Sequence, residues 1–171
     1  MLKMKLLSSW LKIIILLTIF FSKSIAQSQT MPVFSIAQSN GKTLNTAQLP
    51  KTKPVILIYF SPDCDHCTTL LNAMFKQMDQ FNKATILLVT FRPMNEITEF
   101  EKKYKTTGYK NIIVGMEQPV FFLKNLYQLQ STPFTALFNK NGNLVYSYKK
   151  ETPVNELVMR LKKTCDFFFV I

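Results

Sequence analysis

Two cysteines two residues apart, Cys64 and Cys67, enclose Asp65 and the chain's single histidine, His66, directly after an apolar run, in the stretch YFSPDCDHC. Three kinds of chemistry fit a Cys-x-x-Cys pair with a neighbouring imidazole: a redox-active dithiol, half of a metal site, or a structural disulfide. A thiol attacks only as thiolate, and a helix N-terminus favours that form by placing unpaired N–H groups and a positive dipole end beside the sulfur. With two residues between them, Cys67 can reach back and resolve a mixed disulfide made by Cys64. An imidazolium at His66 favours the thiolate, whereas the carboxylates of Asp63 and Asp65 oppose a second negative charge. A tetrahedral zinc site needs further ligands, and Cys165 is the only other cysteine, so a carboxylate would have to complete it; no metal site is expected. A structural disulfide usually closes a longer loop than this one.

The elements that position the pair follow from hydrophobic patterning. Val55 to Phe60 is apolar without alternation, as in a strand buried on both faces. After it, Cys67, Leu70, Leu71, Met74, Met78 and Phe81 recur at spacings of three and four, which predicts an amphipathic helix over 65–81. The dithiol therefore sits at a strand-to-helix junction. Thr85 to Phe91 predicts a second buried strand. Arg92-Pro93 ends it before a helix carrying Ile97, Phe100 and Tyr104 on one face. A short strand at 112–114 and a helix over 120–129 are expected next, then Thr132-Pro133 opening a strand over 134–138. Asn139 to Asn143 predicts a hairpin turn into 144–148, and a last helix has Thr152 as N-cap and Pro153 at its first position. Val33 to Ala37, a turn at 39–42 and a second short extended piece predict an N-terminal hairpin.

Composition bounds the rest. The chain has 171 residues, 47% hydrophobic, which suits one domain with a real core. Lys3, Lys5 and Lys12 precede the apolar run 13–21, and Ser24-Ile25-Ala26 offers small residues for cleavage, so residues 1–26 are expected to be a signal peptide. A retained anchor is the minority reading, because the uncharged run is shorter than a membrane span needs. The net charge of +11 falls to about +7 without that leader, and the basic residues are scattered among acids with no recognition motif, so no nucleic-acid partner is expected. Cys165 is expected to be a free or partly buried thiol, and the apolar ending 165–171 to pack on the sheet, with docking to a partner or a membrane as the alternative.

On the strand before Cys64-Asp65-His66-Cys67, the helix from it, and Thr132-Pro133 before a strand, hairpin and helix, residues 31–163 resemble the thioredoxin-like superfamily. Within it the likeness is to the exported TlpA-like thiol-disulfide oxidoreductases and redoxins, with Ile97–Tyr104 and the following strand as their central βα insertion. The resemblance implies an α/β thioredoxin fold over 27–171, with a central mixed sheet flanked by helices on both faces. It implies Cys64 as nucleophile, Cys67 as resolving thiol and a cis Pro133, with Thr132 and Pro133 guiding substrate and Asp65 and His66 tuning the pair. The function implied is cofactor-free thiol-disulfide exchange with protein substrates in the periplasm or cell envelope, by a monomer serving a membrane-bound or exported redox partner. The chain departs from the family in carrying Ile58 where thioredoxins have a buried acid, and Leu70 where many TlpA-like reductases have a carboxylate. The alternatives are a thioredoxin-like binding or assembly module with a static disulfide and a peroxiredoxin-type peroxidase, whose pattern Ser61 meets and Leu57 fails.

Overall fold

Strands apolar on both sides must be covered on both sides, which places them mid-sheet. In the computed structural model, which describes residues 30–166, the strands in chain order are β1 (Ser35–Ala37), β2 (Thr43–Asn45), β3 (Val55–Tyr59), β4 (Thr85–Thr90), β5 (Ile112–Gln118), β6 (Phe134–Phe138) and β7 (Leu144–Tyr148). They form one seven-stranded mixed sheet in the order β2-β1-β5-β4-β3-β6-β7. The apolar strands β3 and β4 lie parallel in it, and every residue of β3 and of β6 is buried.

The α-helices among the described residues are α1 (Asp65–Phe75), α2 (Met94–Tyr104), α3 (Phe122–Tyr127) and α4 (Val154–Asp166). Alternate residues of the central strands feed two cores. Ile56, Ile58, Ile86 and Leu88 meet Leu70, Leu71 and Met74 of α1, Ile97 and Phe100 of α2, and Leu157, Val158 and Leu161 of α4. Leu57, Tyr59, Leu87 and Val89 face the other way and meet Leu123 of α3, Phe34 and Leu129. This is the α/β fold with helices on both faces that the sequence implied, including the N-terminal β1–β2 hairpin and a β4–α2–β5 crossover that sets β5 parallel to β4.

Three elements differ from expectation. The helix predicted over 65–81 ends at Phe75, and a 3-10 turn covers Met78–Phe81. Met74, Met78 and Phe81 are buried all the same, because a three-residue period keeps the same side inward. The strand expected at 112–114 runs on to Gln118, since β1 pairs antiparallel with its outer half, Ala37 opposite Met116 and Ser35 opposite Gln118. The helix expected over 120–129 shrinks to Phe122–Tyr127, bounded by Phe121 and Gln128, both with positive φ. At the start of α4 the Thr152 hydroxyl meets Thr135 Oγ1 at 2.8 Å in the interior. Cys165 is half-buried on α4 against the core. The expected signal segment 1–26 and the apolar ending 167–171 lie outside the described residues. No described helix is long and apolar enough to cross a membrane.

Gly115 makes the β1–β5 pairing possible: a Cβ there would stand 2.3 Å from Ala37 O and 2.6 Å from Ile36 Cγ2. Gly115→Ala is expected to lower stability by about 1–3 kcal/mol through overpacking. Urea unfolding checks this, and an unchanged midpoint would contradict the close approach.

Candidate active site

Phe60 continues β3 by donating to Val89 O at 2.9 Å, and its buried ring packs on Phe100 with centroids 4.6 Å apart. The chain then turns, with Ser61 hydroxyl bonded to the Asp63 carboxylate and Cys64 N donating to Ser61 O. Cys64 is the N-cap of α1: its backbone is extended, its carbonyl accepts from Thr68 N, and its Sγ accepts from Cys67 N at 3.4 Å. The sulfur thus occupies the place where a capping side chain satisfies an orphan N–H of the first turn.

This placement makes the two thiols unequal. Burial pushes Cys64 up, but hydrogen bonds from the Cys67 thiol, from the Thr132 side chain and from the main-chain N–H groups of Cys67 and His66 outweigh it and hold Cys64 below the ordinary cysteine value. Cys67 is 1% exposed, and burial together with its hydrogen bond to Cys64 pushes it up to about 12. One sulfur therefore gives up its proton more easily than an ordinary thiol, while its neighbour keeps its proton at neutral pH.

Thr132 and Pro133 reach this junction from far along the chain because β6 pairs antiparallel with β3. Phe134 lies opposite Tyr59, so the residues before Phe134 lie beside those after Tyr59. The Thr132–Pro133 bond is cis, as the resemblance implied, and the Cys64 thiol donates to Thr132 O at 3.4 Å. The structure therefore brings Cys64, Cys67, Thr132 and Pro133 together. Asp65 and His66 extend from the same turn into solvent. His66 borders a cavity of about 610 Å³ between α1 and the start of α4, with Leu70 and Val154 in its wall. Among the described residues no group of three or more His, Cys, Asp or Glu is placed to hold a metal ion.

Two features of the site were not foreseen. Arg92, expected only as a strand breaker, forms a two-pronged pair with Glu96 (2.7 and 2.9 Å) and lies 3.7 Å from the Asp63 carboxylate. The Ser61 hydrogen bond, with help from Arg92, keeps Asp63 below its usual value, so a carboxylate stays charged next to Cys64. The second is Glu117, which is fully buried. Its Oε1 accepts from Tyr59 Oη (2.8 Å) and Phe121 N (3.0 Å), and its Oε2 from Leu123 N (2.7 Å). The signal for Glu117 was its position four residues past Ile113, on the same side of a strand that was read as too short.

The chain belongs to the thioredoxin-like domain family, whose model matches residues 29–164. Among curated proteins no sequence matches it. Solved structures with the same fold include the pneumococcal exposed lipoprotein thioredoxin of Streptococcus pneumoniae, at 24% identity, covering 77% of this chain and 99% of that chain with a TM-score of 0.58. DsbF of MTB aligns at 18% identity over 79% of this chain and 99% of that one, TM-score 0.63. A secreted Mycobacterium tuberculosis disulfide oxidoreductase homologous to E. coli DsbE aligns at 16% identity over 76% and 95%, TM-score 0.62.

Two expectations follow. Because Cys64 titrates below the ordinary thiol and Cys67 near 12, alkylation of the reduced protein should modify Cys64 first, with a rate that rises through a pKa below 9 and then levels. Mass spectrometry across a pH series checks both the site and the inflection. Burial raises Glu117 above its usual 4.5, so its protonated form favours folding. Wild-type stability should thus fall as pH climbs from below 4.5 through the folded-state value. Glu117→Gln should lack that slope and lose about 1–3 kcal/mol at pH 7, since an amide nitrogen then faces a buried donor. Denaturant titrations at several pH values read out both effects.

Proposed function

We propose that this protein is a thiol-disulfide oxidoreductase of the TlpA-like kind that acts on protein disulfides and thiols outside the cytosol. The observation that carries the reading is the inequality of the two sulfurs: Cys64 is a half-exposed N-cap thiol of lowered pKa within reach of Thr132, and Cys67 is buried and protonated one turn below.

The exchange balances as follows. Cys64 thiolate attacks one sulfur of a client disulfide, a Cys64–client bond forms, the client S–S bond breaks, and the departing client sulfur leaves as thiolate. That thiolate takes the Cys67 proton as Cys67 attacks Cys64 Sγ, which forms the Cys64–Cys67 disulfide and releases the second client sulfur, protonated from solvent. The client gains two electrons and the protein loses two; client oxidation is the same sequence reversed. Thr132 offers backbone to the client chain beside Cys64, a strand-addition contact. Asp65 and His66, on the exposed turn between the sulfurs, bias the charge that the pair can carry. The leader-like residues 1–26 and the printed descriptions of an exposed lipoprotein and a secreted enzyme among the structural relatives support action at the cell envelope. A membrane-bound or exported partner would restore the dithiol after each cycle.

Cys67→Ser is expected to accumulate mixed disulfides through Cys64 with client proteins in the exporting cell, and Cys64→Ser to accumulate none; non-reducing gels and mass spectrometry check this. A redox titration should place the pair above about −300 mV, as for exchanging rather than structural disulfides. A potential well below that, with no trapped adducts, would make the bond static and the chain a binding module.

A further inference from the structure

The parallel strands β3 and β4 are entered at the end of the sheet that lies away from the dithiol, and β3, about 17 Å long, separates Val55 from the turn that carries Cys64. At the Val55 end Lys51 and Lys53 precede β3 and Lys83 precedes β4. Lys140 joins them in the β6–β7 turn, because Phe138 pairs with Val55. Two cavities open there, of about 320 and 380 Å³, and Lys53 and Lys140 border both. Lys51 stands in the wall of the first and Lys83 in that of the second, and among the described residues no acid lines either. Lys51, Lys53 and Lys83 are exposed. Asp79, before Lys83, and Asp166 are outnumbered once Lys162 and Lys163 near the end of α4 are added, so this end of the domain is net positive. A fold that gathers like charges gives up some stability, and an anionic partner relieves the repulsion.

The ends of the chain indicate what that partner is. Thr30 bridges to Asn143, and Met31 N donates to Gly142 O at 2.8 Å, so the residues before Thr30 join the domain beside Lys140. α4, about 20 Å long, starts at Val154 near His66 and carries Cys165 into the wall of the second cavity, so the other terminus leaves at the same end. Beyond each of these points the sequence holds an apolar run, residues 13–21 on one side and Phe167-Phe168-Phe169-Val170-Ile171 on the other. Lysines set around the exits of two apolar segments match an anionic bilayer surface, where ammonium groups meet headgroup phosphates and apolar residues meet the acyl boundary. A nucleic acid would use the charge but not the apolar flanks.

We propose that the end of the domain bearing Lys51, Lys53, Lys83 and Lys140 is a docking face for anionic phospholipid headgroups, which holds the domain against a membrane surface with Cys64 directed away from it. The face and the dithiol lie at opposite ends of β3, so docking leaves the sulfur in water. The attraction is electrostatic and therefore weakens as salt is raised. It asks nothing of the thiol chemistry and stands independently of the redox reading.

The test mixes the reduced full chain with vesicles of phosphatidylcholine, alone or with phosphatidylglycerol, and reads the bound fraction by co-sedimentation. Apolar segments act on both kinds of vesicle, so the ratio of the two affinities isolates the charge. Each lysine near an anionic surface is worth about fivefold, so the wild-type ratio should be at least about a hundredfold. It should fall towards one in about 1 M salt, where screening leaves a Debye length of about 3 Å. Lys53→Gln with Lys83→Gln should lower the ratio about 25-fold. Lys149→Gln with Lys150→Gln removes the same charge beyond Tyr148, which pairs with Thr135 at the Cys64 end, and should leave the ratio within about twofold. On anionic vesicles Lys53 and Lys83 should be shielded from acetylation, while alkylation of Cys64, read by mass spectrometry, keeps its rate within about twofold. Equal affinity for the two kinds of vesicle would overturn the proposal, as would equal losses from the two lysine pairs. Protection of Cys64 on binding would overturn the orientation and with it the assigned face. Tighter retention of a short DNA duplex than of anionic vesicles at the same salt would overturn the lipid assignment in favour of nucleic acid.

Discussion

The antiparallel register that sets Tyr59 of β3 opposite Phe134 of β6 is the constraint on which the site depends. Both strands leave the sheet at the same end, one into the turn that carries Cys64 and the other from Pro133, and only that register brings Thr132 O within 3.4 Å of the Cys64 sulfur. A slip by one residue would turn Tyr59 and Phe134 to the opposite face and separate the two loops. The register is strongly specified because every residue of both strands is buried, so any slip would strand side chains of the wrong shape in two cores at once.

From that fixed junction the inequality of the sulfurs follows with little further help. An N-cap position leaves Cys64 where main-chain N–H groups converge, and one helical turn later the same helix must bury its inner face, which takes Cys67 into the core with Leu70 and Leu71. Capping and amphipathicity, two ordinary features of a helix start, set the two thiols apart, and the hydrogen bonds of Cys67 and Thr132 to Cys64 complete the difference. Neither depends on the identity of the residues between them, which is why Asp65 and His66 can point into solvent while the asymmetry persists.

Most of this was legible in the residues. Unalternated apolar runs marked β3 and β4, and a three-to-four spacing after a Cys-x-x-Cys marked α1 and the dithiol's position at its start. What escaped had non-local causes. β5 reads as three residues because its outer half is not apolar enough to declare itself, and only pairing with β1 across Gly115 extends it to Gln118. With the strand cut short, Glu117 looked like a loop residue, and its partners Tyr59, Phe121 N and Leu123 N could not be guessed. Periodicity likewise could not tell a helix through Phe81 from a helix ending at Phe75 followed by a 3-10 turn, since both keep Met74, Met78 and Phe81 inward.

The position of the buried acid decides what it can do. Thioredoxin-like proteins with a carboxylate at the position of Ile58 or Leu70 would have it on the side of the sheet that faces Cys67; here both positions are apolar and belong to the core that holds that thiol. The buried carboxylate of this chain stands instead on the Tyr59 face, with β3 between it and Cys67. Cys67 belongs to one core and Glu117's partner Tyr59 to the other, so Glu117 is not placed to take the Cys67 proton. Its oxygens are moreover already committed to three donors of the β3 end and the α3 start. The acid in this chain therefore ties the end of β3 to the start of α3 and serves the fold on that face rather than the buried thiol on the other.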